Sequence, residues 1–183
     1  MRLRNILILL AILLVVGGYF YFSSIPKPAT KPEAQLFVWM IEMDDLQHIE
    51  IRLPLEGKSE AFIKEADRLW YFDDLQRSSV NMTRWGGGIP LLLSGPGVDR
   101  VIAKNATEEK LAEFGLTQPR MEIALTLTDK SILNIKVGDN TPSSNAFYIQ
   151  VPDSNDVAIV DITWYQVIER LVIEPPYASA TGE

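Results

Sequence analysis

The chain has 183 residues, with 24 acidic and 17 basic side chains, a formal net charge of −7 and no cysteine. The lack of cysteine excludes disulfide bonds, thiol catalysis and cysteine-ligated iron–sulfur clusters. The acidic balance disfavours nucleic acid and anionic lipid headgroups as partners. About 140 residues follow the N-terminal segments, which is enough for one compact domain with its own core and too few for two.

The first predicted element is an apolar N-terminal helix. Asn5 to Pro26 is a run of about 22 residues without a charge, and at 1.5 Å per residue it is long enough to cross a bilayer. The aromatic residues of Tyr19–Phe22 suit the boundary between hydrocarbon and headgroups. We therefore predict a transmembrane anchor over residues 1–25. A cleaved signal peptide is the alternative, although its apolar core is usually only about 7 to 15 residues long.

Charges beside the apolar run predict the orientation of the anchor. Arg2, Arg4 and the amino terminus precede the run, whereas Lys27 and Lys31, partly offset by Glu33, follow it. This balance favours a cytoplasmic N-terminus and an extracytoplasmic C-terminal domain on the periplasmic or cell-surface side. Within the anchor, Gly17 and Gly18 would let a neighbouring helix pack closely. Residues 26–35 contain three prolines and predict an extended, semi-rigid linker.

The N-terminal half of the domain is predicted to be mainly strands. Leu36–Ile41 is apolar on both alternating faces, which predicts a strand buried on two sides; interfacial contact with lipid is the alternative. Residues 49–55 alternate apolar and polar side chains, as in a strand with one wet face. Residues 62–72 predict a hairpin that brings Trp70 into the core.

A broken helix is predicted after this hairpin. Residues 78–85 are compatible with a helix, but Gly86–Gly88 and Pro90 interrupt it. Five apolar side chains of the segment are candidate contacts to a partner chain: Trp85, Ile89, Leu91, Leu92 and Leu93. Either another backbone approaches them closely, or they fill the domain's own core.

The second half of the domain shows clearer patterns. Asn105, three positions before Glu108, predicts the N-cap of a short helix that Gly115 closes. Residues 121–160 predict a hairpin followed by two further strands, which together form an antiparallel meander.

The last predicted element is an amphipathic helix that covers one face of the sheet. Thr163–Gln166 has the pattern of a capping box, and four apolar side chains follow at helical spacing: Trp164, Val167, Ile168 and Leu171. Two prolines end this helix, and residues 174–183 are predicted to form a flexible tail.

Together these elements predict an α+β protein. Its N-terminal transmembrane helix is followed by an extracytoplasmic domain in which hairpins and a meander form an antiparallel sheet packed with short helices. The predicted organisation is an anchor over residues 1–25, a linker over 26–35, a single domain over 36–173 and a tail over 174–183.

The order of turn and strand motifs resembles a known family. The motifs are, in chain order, Ile49–Ile51, Trp70, Phe114–Pro119, Val137–Pro142, Phe147–Ile149 and Val157–Asp161. They resemble domain of unknown function 4340, a family of membrane-anchored bacterial proteins with an α+β exoplasmic domain. The resemblance covers about Asp45 to Leu171 and departs at Trp85–Pro96, which replaces a more regular helix. Members of this family often accompany ABC-type transport components linked to gliding motility, so the resemblance implies an accessory role and supplies no catalytic residues.

None of the candidate metal or catalytic sites has all the residues that its chemistry needs. His48, the only histidine, follows Asp44 by four residues, but two ligands do not make a metal site. A Ser-His-Asp triad would need His48, and the chain has no Gly-x-Ser-x-Gly elbow. Residues 153–156 resemble the start of a calcium loop without its glycine or terminal glutamate, and are typical of a plain turn. We predict no catalytic, cofactor-binding or metal-binding residue.

The predicted function is that of a non-catalytic, single-span accessory subunit in a larger membrane complex. Its expected partners are the lipid bilayer and other membrane subunits, with no nucleic acid, no identified small-molecule substrate and no cofactor. The complex would be an ABC-transporter-type assembly or an energy-transducing, electron-transport complex. The alternative is a membrane-tethered extracytoplasmic module that binds a glycan, peptide or small ligand.

Overall fold

The computed structural model of this chain describes residue 10 and residues 13–17, 36–86, 88–98 and 100–178. The chain divides into two units, Met1–Ala34 and Gln35–Glu183. In the first unit, residue 10 and residues 13–17 are helical, and the rest of the predicted anchor and linker lies outside the described residues. No helix among the described residues combines the length and the apolar character that a membrane crossing needs.

The second unit is built on strands. They are β1 (Leu36–Phe37), β2 (Leu46–Leu53), β3 (Lys58–Lys64), β4 (Trp70–Phe72), β5 (Gly97–Val98), β6 (Val101–Ala103), β7 (Met121–Leu127), β8 (Ile132–Asn140), β9 (Ala146–Gln150) and β10 (Val157–Asp161). Eight of them form one antiparallel sheet in the order β4-β3-β2-β7-β8-β9-β10-β6, and β1 pairs with β5. The predicted α+β class with an antiparallel sheet is confirmed.

Short helices complete the domain. They are α1 (Met82–Trp85), α2 (Ile89–Ser94), α3 (Glu108–Glu113) and α4 (Ile162–Ile173), with 3-10 turns at Met43–Asp45 and Pro54–Glu56. The broken helix predicted around the glycine run is present as α1 and α2. Helix α1 is shorter than predicted because Ser79 and Val80 make isolated strand bridges, to Tyr71 and Tyr177.

Prolines shorten two of the predicted strands. The strand expected over residues 36–41 ends at Phe37. In the register of β1 and β5, the next residue, Val38, would be opposite Pro96, which has no N–H to donate. Strand β2 ends at Leu53 for a related reason, since Pro54 starts a 3-10 turn there. Gly57 then closes this turn with φ 63° and leads into β3.

Helix α4 covers one face of the sheet, as its spacing predicts. Trp164, Ile168 and Leu171 are buried, and the helix contacts β2, β3, β9 and β10. Its N-cap is Asp161 rather than Thr163, because the Asp161 carboxylate accepts a hydrogen bond of 2.7 Å from the backbone N–H of Thr163. The predicted capping box therefore starts two residues too late.

Helix α3 also uses a different cap from the predicted one. The hydroxyl of Thr107 accepts from the backbone N–H of Lys110, whereas Asn105 lies outside the helix at φ 47°. Gly115 closes the helix at φ 72°, as predicted.

The C-terminal segment is held against the domain up to Ala178. The backbone N–H of Ala178 donates to Ser79, and the ring of Tyr177 stacks on Phe72 with centroids 4.0 Å apart. Residues 174–178 of the predicted flexible tail are thus part of the folded domain, and the rest of that tail lies outside the described residues.

Candidate functional site

An apolar groove of about 580 Å³ lies between α2, the start of α4 and the segment that follows β1. Its apolar wall is formed by Phe37, Met40, Ile41, Leu91, Leu92, Trp164 and Val167. The side chains of Met40 and Leu91 are 74% and 63% exposed, so the apolar surface is open to solvent. An open apolar surface on a folded domain is typical of a contact site for another molecule.

Two indole groups fix α2 at the edge of this groove. A helix of six residues leaves its last four carbonyls without intrahelical partners. The Trp164 Nε1–H donates to the Leu92 carbonyl and the Trp39 Nε1–H to the Leu93 carbonyl, each over 2.9 Å. The two rings meet edge to face with centroids 6.3 Å apart. The segment after β1 and helix α4 thus hold α2 in place.

The remaining two carbonyls of α2 are also satisfied. The Ser94 hydroxyl donates to the Leu91 carbonyl over 2.9 Å, and the Ile41 N–H donates to the Ser94 carbonyl over 2.8 Å. The next residue, Gly95, lies against backbone, because a β-carbon there would be 2.9 Å from the Trp39 carbonyl oxygen. Since α2 is fixed at all four positions, Leu91 points outward from a rigid support.

The structure separates the five predicted contact residues of this segment into two sets. Trp85, Ile89 and Leu93 are only 2%, 4% and 0% exposed and belong to the domain's own core. Leu91 is exposed and Leu92 is half-buried, and both line the groove. Helical geometry explains the division, because Ile89 and Leu93 are one turn apart on the face of α2 that meets the core.

The two glycines predicted as contacts lie in the other unit. Gly17 is the last described residue of the helical stretch 13–17, with no described heavy atom within 4 Å of a β-carbon there. Gly18 lies outside the described residues.

Sequence reasoning missed Phe37 and Met40 as groove residues. Both were included in a strand expected to be buried on two sides, but the strand stops at Phe37 and leaves Met40 at the surface. The signal that could have found them is the run of apolar residues directly after a polar linker, which also suits interfacial contact.

A second, more polar trough of about 950 Å³ adjoins the groove along α4 and shares Thr163 and Val167 with it. At its far end, Arg84 donates to the backbone carbonyls of Glu174 and Pro175 over 2.5 and 3.1 Å. The apolar groove therefore continues into a longer depression that suits an elongated ligand better than a compact one.

The histidine lies in a surface network of hydrogen-bonded and ion-paired side chains. His48 Nε2 lies 3.0 Å from Asp73 Oδ2, and Arg77 pairs with Asp73 and with Glu65. The hydrogen bond from Arg77, with a smaller contribution from His48, holds the pKa of Asp73 below its ordinary value. Asp44 pairs with Arg68, and the described residues contain no group of three potential ligands that could hold a metal ion.

Residues 153–156 form a plain turn. Asp153 adopts φ 55°, the Ser154 hydroxyl accepts from the Asp156 N–H over 3.0 Å, and the Asp156 carboxylate accepts from the Asn105 N–H over 2.7 Å. The Asp156 carboxylate thus ties this turn to the segment before α3.

The fold and groove define a small α+β domain with an antiparallel sheet, a covering C-terminal helix and an open apolar contact surface. Within it, residues 93–169 match the family model described as domain of unknown function (DUF4340). The match runs from the last turn of α2 into α4 and confirms the predicted resemblance over these residues, whereas the motifs at Ile49–Ile51 and Trp70 lie outside the match. Comparisons with curated proteins and with solved structures give no match.

Proposed function

We propose that this protein is a non-catalytic, membrane-anchored accessory subunit that attaches to a larger membrane assembly through its apolar groove. The observation that carries the proposal is the rigid, open apolar wall around Leu91 and Met40. Among the described residues, the groove's lining supplies one carboxylate, that of Asp161, and this group already caps α4. The two hydroxyls of this lining, those of Ser94 and Thr163, have no lining histidine or lysine beside them to act as a base, so the lining suits binding better than catalysis.

The partner of the groove is an apolar segment of a neighbouring membrane subunit. Phe37 lies two residues after the predicted linker, and a ten-residue linker spans at most about 35 Å when fully extended. With residues 1–25 as an anchor, this covalent limit keeps the groove near the bilayer, on the extracytoplasmic side in the predicted orientation. An elongated partner segment, such as an amphipathic helix, would place its apolar side chains against Leu91, Leu92 and Val167.

Neither the family match nor the groove favours one type of membrane assembly over the other. The family match concerns a domain of unknown function, and the groove recognises apolar shape instead of a specific chemical group. Both an ABC-transporter-type assembly and an electron-transport complex would present such a segment.

The experiment isolates the full chain from mild-detergent extracts of native membranes through a tag at Glu183 and quantifies the proteins retained at near-equal stoichiometry. We expect Leu91→Asp to lose these subunits, because a carboxylate would be buried against the partner's apolar side chains. Leu75→Asp is the matched control, since Leu75 is 99% exposed and lies in the turn after β4.

Three results are decisive. Subunits that are lost from the Leu91 variant and kept by the Leu75 variant support the proposal. Equal retention by both variants would show that the groove is not the contact, and recovery of the native protein without stoichiometric subunits would refute the accessory role.

A further inference from the structure

A further cavity, of about 490 Å³, lies beside the turn between β8 and β9 and has a different chemical character. Its polar lining consists of Arg100, Thr141, Ser143, Asn145 and Tyr148. None of the described residues that line it is acidic, although the whole protein carries a net charge of −7. The cavity therefore concentrates positive charge and neutral hydrogen-bonding groups on an acidic protein.

The cation of this cavity is the exposed side chain of Arg100. Within the described part of the chain, the Arg100 guanidinium makes no ion pair with a carboxylate. Its backbone is fixed, because the Arg100 carbonyl accepts a hydrogen bond from the Ile159 N–H on β10. The acidic residue that follows on this strand, Asp161, has its carboxylate engaged by the Thr163 N–H.

The turn presents its polar groups in a fixed arrangement. Two backbone hydrogen bonds of 2.8 Å close it, from the Thr141 N–H to the Ala146 carbonyl and from the Ser144 N–H to the Thr141 carbonyl. The Ser143 hydroxyl donates to Asn145 Oδ1 over 2.5 Å. Because Oδ1 of Asn145 is used as an acceptor, its amide Nδ2 remains as a donor toward a ligand.

We propose that this cavity binds a small organic anion. A guanidinium presents parallel donors that match a carboxylate or phosphate group, and the Asn145 amide and Tyr148 phenol add further donors. The rest of the described lining is apolar, with Pro142, Ala146 and Ile159, and packs against the carbon skeleton of the ligand. The cavity lies within the residues matched to the family model and is separate from the groove, so this proposal does not depend on the accessory role.

Benzoate is the probe, because it joins one carboxylate to an apolar ring. Sodium benzoate is titrated into the isotope-labelled full chain in nonionic detergent, with ionic strength held constant by sodium chloride. The backbone amide resonances of residues 143–146 report binding. We expect saturable shifts confined to this turn and its neighbours, and we expect inorganic phosphate to compete for the same site.

Two charge-matched variants test the assignment. Arg100→Gln removes the guanidinium and should weaken benzoate binding by about tenfold or more, as expected for loss of charge-assisted hydrogen bonds. Arg52→Gln removes the same charge from β2, where the side chain is 51% exposed and pairs with Glu50 and Glu122, and should bind benzoate as the native protein does.

The proposal fails if benzoate causes no saturable shift, or if both variants weaken its binding equally. It also fails if phosphate does not compete, because the two ligands would then share no oxyanion subsite. Since Arg100 is exposed and unpaired in the described part of the chain, its substitution leaves the fold intact, which the native spectrum of the variant away from the turn verifies.

Discussion

Gly138→Ala is expected to destabilise the domain strongly, because β8 and the end of α3 touch at this position. A β-carbon at Gly138 would overlap the carbonyl oxygen of Phe114 and lie 3.1 Å from the carbonyl carbons of Phe114 and Gly115. All three neighbouring atoms belong to the backbone, so no side-chain rotation can relieve the overlap. The Asp139 N–H also donates to the Phe114 carbonyl over 2.8 Å, which holds the two segments together.

The size of the effect follows from two costs. Overpacking in a well-packed region typically costs about 1–3 kcal/mol. Separating the segments also weakens the hydrogen bond between Asp139 and Phe114, whose net contribution is about 0.5–1.5 kcal/mol. We therefore expect the free energy of unfolding to fall by about 2–4 kcal/mol, which lowers the midpoint temperature by roughly 5–15 °C in a domain of this size.

Tryptophan fluorescence during chemical unfolding in mild detergent measures this change, since all four tryptophans are buried in the second unit. Gly88→Ala is the matched control, because a β-carbon there has no heavy atom of the described residues within 4 Å and the backbone is helical at φ −89°. It should change the free energy of unfolding by less than about 0.5 kcal/mol. If Gly138→Ala proves as mild as this control, the close contact between β8 and α3 is wrong.

Four further variants address the groove, the α4 cap and the ion-pair network. Trp164→Phe removes the N–H that an α2 carbonyl accepts and should lower the free energy of unfolding by about 1–3 kcal/mol in chemical denaturation. Asp161→Ala should lower the free energy of unfolding by about 1 kcal/mol in the same measurement, because it removes the cap of α4. Thr163→Ala should lower it less. The reverse order would show that Thr163 and not Asp161 caps the helix. Asp73→Asn should make the free energy of unfolding fall less steeply on acidification. The folded-state pKa of Asp73 lies below its ordinary value of 3.8. The stabilisation by the Asp73 carboxylate is therefore present above pH 3.8 and is lost as the pH falls through the folded-state pKa. Unfolding midpoints between pH 2 and 6 measure this, and equal slopes for the native and variant proteins would contradict the stabilising role of the pairing with Arg77.

Local patterns were sufficient to predict much of the fold. Apolar residues that recur every two residues predict the hairpins β3–β4 and β7–β8, and a period of 3.6 residues predicts helix α4. Both periods are visible within a short stretch of sequence. The pairing of β2 with β7 could not be predicted in this way, because Ile51 and Ile123 are opposite each other in the sheet and distant in sequence. The cap of α3 was predicted at the wrong residue for a similar reason. Thr107 and Asn105 both carry a side-chain oxygen that can accept a hydrogen bond, and only backbone geometry distinguishes them.

The groove was only partly predictable. Leu91, Leu92 and Leu93 are identical in chemistry, and their different exposure depends on which face of α2 meets the core. The anion cavity was not predicted, because Arg100 and the turn at residues 141–146 are far apart in sequence and converge through the pairing of β6 and β9 with β10.

The way α2 is supported decides how variants of the groove can be interpreted. The hydrogen bonds from Trp39 and Trp164 to α2 join residues 54 and 72 positions apart, so the groove forms only when the whole domain is folded. Changes to these tryptophans will alter binding and stability together. Leu91 is different, because its side chain is 63% exposed and is not part of the buried core. Its substitution by aspartate should leave the free energy of unfolding nearly unchanged, so that a loss of partner subunits in that variant reports the contact itself and not the fold.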